Sequence, residues 1–529
     1  MPDRPDAGTP PNGRGAWAAA AGLAVAAVVA LSLTASLAGV FYDDGIYLAL
    51  AKSLAEGHGY RLLYLPGSPG AVHYPFLYPA FLAALWRILP SFPANVALFK
   101  AANAALLGLF AALLVLYLHA RVAQPAWRLA LVVAVLATAL PLVVVATVLF
   151  AEPLFLVFFV AACWVGDAAR GAQERRSAWW LAAAAGVLAG AAALTRSVGI
   201  IVILGVSASL LIARRPRAAV IAALVGAACL APWAVWVARH HADADPVLTS
   251  NYGTYTDLLG QAGWWLSPAS VGDLLTPLGA VALAPFRGWF RFYLGVPALL
   301  LLVAGFAPLI RRAPALGWSL AGYLLIVCAW PFGPARFLWA VWPFLALAFA
   351  AGVARVWSRL AAVRQPFARV GRWCVAAVAA AVVAGYGFYQ VRGYARGDAT
   401  ALQRGISATL KEILPWIRTA TPPAAVVAGE DEALLWLYTG RRAVPNYVWR
   451  YRGRGEESLG PDSLKAWFDR SGVTAVVLTG PGSDAAPTLN ALIARAPGYL
   501  RLQRAWPGSV LAFAVDRAAG PGPAGGKAP

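Results

Sequence analysis

A succession of long apolar segments constrains this chain more than any other feature of its sequence. The segments lie at about residues 16–40, 97–120, 127–146, 149–166, 178–195, 197–213, 218–238, 294–310, 314–331, 335–354 and 373–390. Each is close to the roughly 20 apolar residues that a helix needs to cross a bilayer. The sequence therefore predicts an all-α polytopic membrane protein with about eleven transmembrane helices.

The composition excludes an ordinary soluble protein. The chain is 60% hydrophobic and 12% charged, whereas charged residues make up roughly a quarter of a soluble domain. The net charge of +20 does not indicate a nucleic-acid partner, because the arginines lie in short clusters between apolar segments and form no basic stripe interleaved with aromatic residues. The four cysteines lie inside apolar segments and show no disulfide or metal-binding pattern.

The arginine clusters also predict the orientation. The first apolar segment is too long for a signal-peptide core, so we expect a cytoplasmic N-terminus. Alternating the loops from there places the arginine-rich loops inside, in agreement with the positive-inside rule. These loops contain Arg121 and Arg128; Arg170, Arg175 and Arg176; Arg214, Arg215 and Arg217; Arg311 and Arg312; and Arg355, Arg359, Arg364, Arg369 and Arg372.

The predicted domains follow from this alternation. We expect a disordered cytoplasmic tail at 1–15, a membrane domain at 16–392, an extracytoplasmic α/β domain at 393–517 and a disordered tail at 518–529. The first outer loop (41–95) contains Ala80 to Leu89, which is too short to span a bilayer and predicts an interfacial helix.

The long outer loop at 239–293 has two interpretations, an ordinary aromatic belt or a lid over a lipid-linked substrate. It contains Trp264 and Trp265.

In the C-terminal domain, strands are predicted at 426–427 and 474–478, and helices at 401–418, 431–438 and 461–471. The acidic run from Glu430 to Glu432 is interpreted as part of a solvated face.

Two adjacent acids, Asp43 and Asp44, follow the first apolar segment. Asp44 is a good N-cap for a short helix that ends near Gly57, and the positive end of a helix lowers the pKa of a carboxyl group. Both acids are thus expected to be ionised. They either serve chemistry at the membrane surface or only cap this helix.

Three further charged residues are predicted to lie at the same membrane face: Glu152, Arg196 and Arg336. Charged residues at membrane depth are costly and are usually paired or functional. A carboxylate can act as general base toward an acceptor hydroxyl, and arginines can stabilise a leaving phosphate. Alternatively, the arginines only pair with acids or extend to the interface.

Several short motifs together resemble a known family. They are the Asp43-Asp44 pair with Tyr47 behind it, YPFLYPAFL from Tyr74, AEPLF from Ala151, LTRSVGI from Leu194 and ARFLWAVWPFLAL from Ala335. Their order and shared topological side look like the GT-C superfamily of polytopic membrane glycosyltransferases. Within that superfamily, the motifs resemble the bacterial branch of protein O-mannosyltransferases and the aminoarabinose transferase of lipid A.

The resemblance implies an inverting glycosyltransferase of the bacterial-type cytoplasmic membrane, working at its outer face. Its partners would be a polyprenyl-phosphate sugar donor and a lipid, glycan or protein acceptor. Asp43 matches the essential acid of the first outer loop, and Asp44 takes a place often held by Glu. Glu152 matches a second acidic position, which in relatives lies near the acceptor or a metal. Arg336 matches an arginine of the family that would lie near the donor phosphate.

One departure concerns the donor phosphate. Relatives often have Lys-Pro-Pro where this chain has His73-Tyr74-Pro75, so the lysine is missing. His73 could replace it if protonated, or Arg196 and Arg336 could suffice. Tyr47, His73 and Tyr74 are expected to line the cleft. The resemblance requires no cofactor. Whether Asp44 and Glu152 hold a divalent metal stays an open question at this point.

Two other classes of function compete with this interpretation. One is a transporter or flippase of a lipid-linked sugar, but the sequence has no internal repeat and no paired broken helices of the kind that transporters show. The other is a non-catalytic scaffold with an outer binding domain.

Overall fold

A computed structural model describes residues 13–263, 268–330, 333–453, 455–480 and 482–518. The α-helices are α1 Gly13–Ser32, α2 Asp43–Ala55, α3 Leu77–Ile88, α4 Val96–His119, α5 Ala126–Ala137, α6 Leu140–Thr147, α7 Glu152–Gly171, α8 Arg175–Thr195, α9 Ile200–Ile212, α10 Pro216–His240, α11 Thr249–Tyr252, α12 Tyr255–Ala262, α13 Pro268–Ala282, α14 Gly288–Arg312, α15 Pro314–Ala329, α16 Ala335–Ala340, α17 Trp342–Ala361, α18 Pro366–Arg396, α19 Ala401–Ala420, α20 Glu432–Thr439, α21 Gly460–Ser471 and α22 Ala486–Arg495. The strands are β1 Val426–Gly429, β2 Arg442–Pro445, β3 Trp449–Arg452, β4 Gly455–Ser458, β5 Val473–Leu478, β6 Leu500–Trp506 and β7 Val510–Val515. Short 3₁₀ helices lie at Ser197–Gly199, Pro246–Leu248 and Asp398–Thr400.

Within the described residues, 8 helices are long and apolar enough to cross a membrane: α1, α4, α7, α8, α10, α14, α17 and α18. The pair α5 and α6 adds one more if it is counted as a single span bent by 64°. The prediction of a multi-pass α-helical membrane protein is confirmed. The shorter apolar helices at Ser197–Ile212 and Pro314–Ala329 coincide with two further predicted segments. The total of about eleven transmembrane helices stays a prediction.

Two prolines lie where predicted apolar segments divide into separate helices. Pro141 lies in the first turn of α6, where its missing N–H is tolerated, and the predicted segment 127–146 divides just before it. Pro343 has the same position in α17, and the segment predicted at 335–354 divides there. The first span is shorter than predicted, because α1 ends at Ser32 and the chain to Tyr42 is irregular.

Close contacts group the chain into two compact units. The helical unit contains the described parts of Met1–Leu33, Lys100–Trp233 and Trp264–Thr400. The mixed unit contains the described parts of Thr34–Phe99, Ala234–Gly263 and Ala401–Pro529. The domain boundaries expected from the sequence remain predictions. The tails at 1–12 and 519–529, like Trp264 and Trp265, lie outside the described residues.

A buried aspartate ties together three helices of the helical unit. The hydroxyl of Tyr117 in α4 donates to Asp167 Oδ2 at 2.7 Å. The N–H of Ala315, at the start of α15, donates to Asp167 Oδ1 at 3.1 Å. Asp167 itself belongs to α7 and is 1% exposed. Because both of its oxygens accept a hydrogen bond, this acid has a structural role.

The mixed unit is built on a five-stranded sheet in the order β2-β1-β5-β7-β6. Strands β2, β1 and β5 are parallel, and β7 and β6 continue the sheet antiparallel. The apolar face of α19 packs here through Leu410, Ile413, Leu414 and Ile417, which follow the helical period. The small α/β fold predicted for the C-terminal segment is confirmed.

The first loop and the C-terminal segment share this core. Val40 belongs to the same buried cluster as α19 and β1. The N–H of Leu37 donates to Ser407 Oγ at 2.9 Å, and the N–H of Ala38 donates to the Tyr438 hydroxyl at 3.1 Å. The residues that follow the first membrane helix are thus held by residues almost 400 positions further along the chain.

Candidate active site

The site begins at a strained turn before α2. Tyr42 has φ 64° and ψ −69°, and the N–H of Asp43 donates to the carbonyl of Phe41 at 2.7 Å. These dihedral angles and this hydrogen bond define the rare, strained form of the γ-turn. Such backbone strain persists only where the surroundings hold it, and it is concentrated at functional sites. The turn places Asp43 at the first position of α2.

Asp44 organises the loop that leads into this turn. Its Oδ2 accepts the N–H of Gly39 at 2.7 Å and its Oδ1 accepts the N–H of Phe41 at 2.8 Å. The prediction that Asp44 is the N-cap of α2 is wrong, since Tyr42 occupies that position without a side-chain hydrogen bond.

The prediction that the positive end of the helix lowers the pKa of Asp44 is also wrong. The residue is 1% exposed. Burial raises the pKa of Asp44 to about 7, although the hydrogen bonds from Phe41 and Gly39 lower it. Loss of water around the charged form therefore outweighs the favourable backbone groups.

Asp43 has different partners. The hydroxyl of Tyr74 donates to Asp43 Oδ1 at 2.7 Å. Burial, and next the charge of Asp43, raise the pKa of Tyr74 well above its usual range, so the phenol keeps the proton that it donates. The Tyr47 ring lies edge-on to Tyr74, with centroids 5.0 Å apart. The predicted residues Asp43, Tyr47 and Tyr74 are thus neighbours.

His73 completes this aromatic group. Its Nδ1 lies 2.8 Å from the carbonyl oxygen of Gly253, and a carbonyl can only accept, so Nδ1 carries a proton. The imidazole ring packs against Tyr74 and Tyr255 with centroids 4.5 and 4.7 Å away. Its proposed part in phosphate binding stays a prediction.

The start of α20 adds polar residues that sequence reasoning missed. Glu432 is 1% exposed and accepts a hydrogen bond from the Tyr252 hydroxyl. The Tyr42 and Tyr252 rings are stacked with centroids 6.3 Å apart. Asn251 Nδ2 donates to the Tyr42 hydroxyl at 3.3 Å. The interpretation of this acidic run as a solvated face is wrong for Glu432.

Close packing brings α20 to α2. A Cβ added at Gly45 would lie 3.3 Å from the Ala433 Cβ and 3.2 Å from the Gly39 carbonyl oxygen. Burial raises the pKa of Glu432 to about 8. Burial, and next the charge of Asp44, raise the pKa of Asp431 to about 8 as well. The only sequence signal for this contact was the run of three acids itself.

The other predicted residues lie together in the helical unit. Glu152 begins α7, is fully buried and forms an ion pair with Arg196. Arg336 Nε lies 3.8 Å from Glu152 Oε1. The guanidinium of Arg336 stacks over Phe150 at 4.7 Å, and that of Arg196 over Phe337 at 5.4 Å. The structure thus joins these three residues, while Asp43, Asp44, Tyr47, His73 and Tyr74 belong to the mixed unit.

The acids named as possible metal ligands are engaged elsewhere. Both oxygens of Asp44 accept backbone N–H groups, and the Glu152 carboxylate faces two arginines. Within the described ranges, no three His, Cys, Asp or Glu residues are arranged to hold a metal ion. This donor set does not fit a metal at either acid, so no chemical step is assigned to one.

These elements define a polytopic α-helical membrane fold that carries a small α/β segment and a buried aspartate pair after its first membrane helix. The chain is similar to ArnT from Cupriavidus metallidurans in the apo state, with a TM-score of 0.54 and 14% identity over 95% of this chain and 98% of that one. It is also similar to the archaeal oligosaccharyltransferase AglB from Archaeoglobus fulgidus, solved with an inhibitory peptide and a dolichol-phosphate. There the TM-score is 0.51 at 12% identity, over 96% of this chain and 75% of that one.

The sequence matches no family model and no curated protein. At such low identity the two solved structures establish the fold, and the GT-C-like fold predicted from the sequence is confirmed.

Proposed function

We propose that this protein is an inverting glycosyltransferase that moves a sugar from a polyprenyl-phosphate donor to a lipid, glycan or protein acceptor. The observation that carries the proposal is the fold similarity to ArnT, which extends over nearly the full length of both chains. The dolichol-phosphate in the AglB structure supports a polyprenyl phosphate as the lipid carrier. We place the reaction at the outer face of the cytoplasmic membrane, where the sequence predicts the first outer loop with Asp43 and Asp44 to lie.

Asp43 is the general base of the proposed reaction. Both oxygens of Asp44 bind the preceding loop, whereas Asp43 meets a side-chain donor, Tyr74, at the start of the helix. The acceptor hydroxyl gives its proton to the Asp43 carboxylate while its oxygen bonds to the anomeric carbon. The bond from that carbon to the phosphate oxygen breaks, and the polyprenyl phosphate leaves with the electron pair. A single displacement of this kind inverts the anomeric centre.

A separate proposal assigns binding of the donor phosphate to Arg196 and Arg336. Two guanidinium groups face one carboxylate, Glu152, so the ionised group keeps a net positive charge. Arginine forks match the geometry of phosphate oxygens and can stabilise charge on a leaving group. In this proposal Glu152 is a positioning residue that orients the arginines, in place of the acceptor or metal role first considered.

Sugar transfer in proteoliposomes tests the proposed function. Wild type and Asp43→Asn are compared at equal folded amount with a panel of polyprenyl-phosphate sugars and lipid, glycan and peptide acceptors. Removing a general base lowers the rate by roughly 10²- to 10⁴-fold, so we expect transfer to fall by at least about 100-fold. Glu56→Gln is the matched control, because Glu56 follows α2 directly and its side chain is 39% exposed.

Equal transfer by wild type and Asp43→Asn would remove Asp43 from the mechanism. Movement of the lipid-linked sugar across the vesicle membrane without a new glycosidic bond would support the transporter alternative and overturn the proposal.

A further inference from the structure

An apolar groove lies between three helices of the helical unit. It has a volume of about 210 Å³ and lies between α14, α17 and α18. Its lining is Pro297, Leu300, Leu301, Val356, Cys374, Val375 and Val378. Leu300 is 63% exposed, and Cys374 is exposed too, so the groove opens to the outside of the helices. Pockets for small molecules begin at roughly 300 Å³ and carry polar groups, whereas this groove suits a hydrocarbon chain.

Arginines stand at one end of the groove. Arg359 lies one helical turn beyond Val356 in α17, and Arg372 lies one turn before Val375 in α18. The two helices are joined by residues 362–365, and a Cβ added at Gly371 would lie 3.2 Å from Leu360. Because the chain reverses there, both arginines lie toward the connected end.

This end has no internal counter-charge in the described part of the chain. Neither Arg359 nor Arg372 pairs with a described carboxylate, and residues 274–397 contain no Asp or Glu. The buried Nε of Arg372 has no hydrogen-bond partner among the described residues. Its guanidinium stacks over the Trp357 ring at 5.8 Å. An external anion is therefore the natural partner for these arginines.

We propose that the groove holds one acyl chain of an anionic phospholipid whose phosphate lies on Arg359 and Arg372. Basic sites between membrane helices bind anionic lipid head groups, and arginine matches phosphate oxygens bidentately. Trp357 and Trp373 are 41% and 71% exposed, as expected of tryptophans at head-group level. The site is independent of the proposed glycosyl transfer.

Native mass spectrometry of the full chain tests the head-group contact. The protein in neutral detergent is titrated with phosphatidylglycerol or with phosphatidylcholine. The double variant Arg359→Gln/Arg372→Gln should bind phosphatidylglycerol roughly 30-fold more weakly, since each surface arginine contributes about a factor of five. Arg175→Gln/Arg176→Gln makes the same change in charge at exposed positions away from the groove and should bind like wild type.

A second pair of variants tests the acyl-chain contact. Cys374→Trp fills the groove with a side chain at an exposed position, while Cys374→Ala leaves it open. We expect the tryptophan variant to lose phosphatidylglycerol binding with both arginines present, and the alanine variant to keep it. Binding that persists in Cys374→Trp, equal weakening in both arginine double variants, or equal affinity for phosphatidylcholine would each overturn the proposal.

Discussion

Asp43 and Asp44 are adjacent residues of one type whose carboxyl groups have different surroundings. Asp44 accepts two backbone N–H groups and is 1% exposed. Asp43 meets the Tyr74 hydroxyl and stands at the end of the strained turn. Chemical role at this scale follows from neighbours within a few ångströms. The local sequence therefore nominates the pair, and only the family resemblance favours Asp43 over Asp44 as the base.

The Glu152 and Arg196 pair gives a test at the residue scale. Arg196→Met leaves a fully buried carboxylate without its closest partner, and breaking a buried ion pair costs about 3–5 kcal/mol. The double variant Arg196→Met/Glu152→Met should recover most of the free energy of unfolding, because it also removes the buried carboxylate. Arg336 then loses its contact with Glu152, but its side chain is 31% exposed and stays solvated. Denaturant unfolding in detergent measures both. A single variant within about 1 kcal/mol of wild type would mean that the pair is not buried in solution.

The packing of α20 on α2 matters at the scale of elements. The close approach of Gly45 to Ala433 brings the acids at the start of α20 into the interior, together with the turn that presents Asp43. Three groups there, Asp44, Asp431 and Glu432, have pKa values raised by burial to about 7, 8 and 8. This contact couples the ionisation of Asp431 in the C-terminal segment to that of Asp44, the neighbour of the candidate base.

Stability should therefore fall as pH rises. In the unfolded chain Glu432 loses its proton near pH 4.3, whereas in the folded protein it keeps the proton until about pH 8. The folded state binds more protons between these values, so its stability decreases from about pH 4 to about pH 8 and then levels off. Asp44 and Asp431 act in the same direction. Wild type should show a lower Tm at pH 8.5 than at pH 5.5.

The variant Glu432→Gln isolates one of these groups. Its amide oxygen can still accept the Tyr252 hydroxyl, and it does not titrate. The drop in Tm between the two pH values should become smaller. The free energy of unfolding should lose about 1 kcal/mol less per pH unit between pH 5.5 and about pH 8 than in wild type. Glu412→Gln, at an exposed position in α19, should keep the drop of wild type. Identical profiles for all three proteins would contradict the buried, protonated Glu432.

At the scale of the whole molecule, the helical unit carries the candidate membrane spans and the mixed unit carries the aspartate pair. The arginine-rich loops predict that the helical unit crosses the membrane with its N-terminus on the cytoplasmic side. The mixed unit contains three stretches of chain, and the first and last of them share one buried core. The same alternation predicts that the first outer loop and the C-terminal segment lie on the outer side.

Single-cysteine variants in a cysteine-free background test this topology. His58→Cys and Asp462→Cys lie at exposed positions of the mixed unit and should react with a membrane-impermeant maleimide added to intact cells. Gln173→Cys, exposed between α7 and α8, should react only after permeabilisation. Labelling of all three in intact cells, or of Gln173→Cys alone, would contradict the predicted orientation.

The sequence by itself determined the membrane helices and the main elements of the α/β segment. A membrane span is predicted from about 20 consecutive apolar residues, and α19 is predicted from the helical period of its apolar residues. Both signals are local properties of the chain. Only the tertiary structure decided that α20 packs on α2, that Glu432 is buried and that both oxygens of Asp44 accept backbone N–H groups. Those outcomes depend on burial by residues such as Ala433, almost 400 positions from Gly45, and no local pattern encodes a contact at that separation.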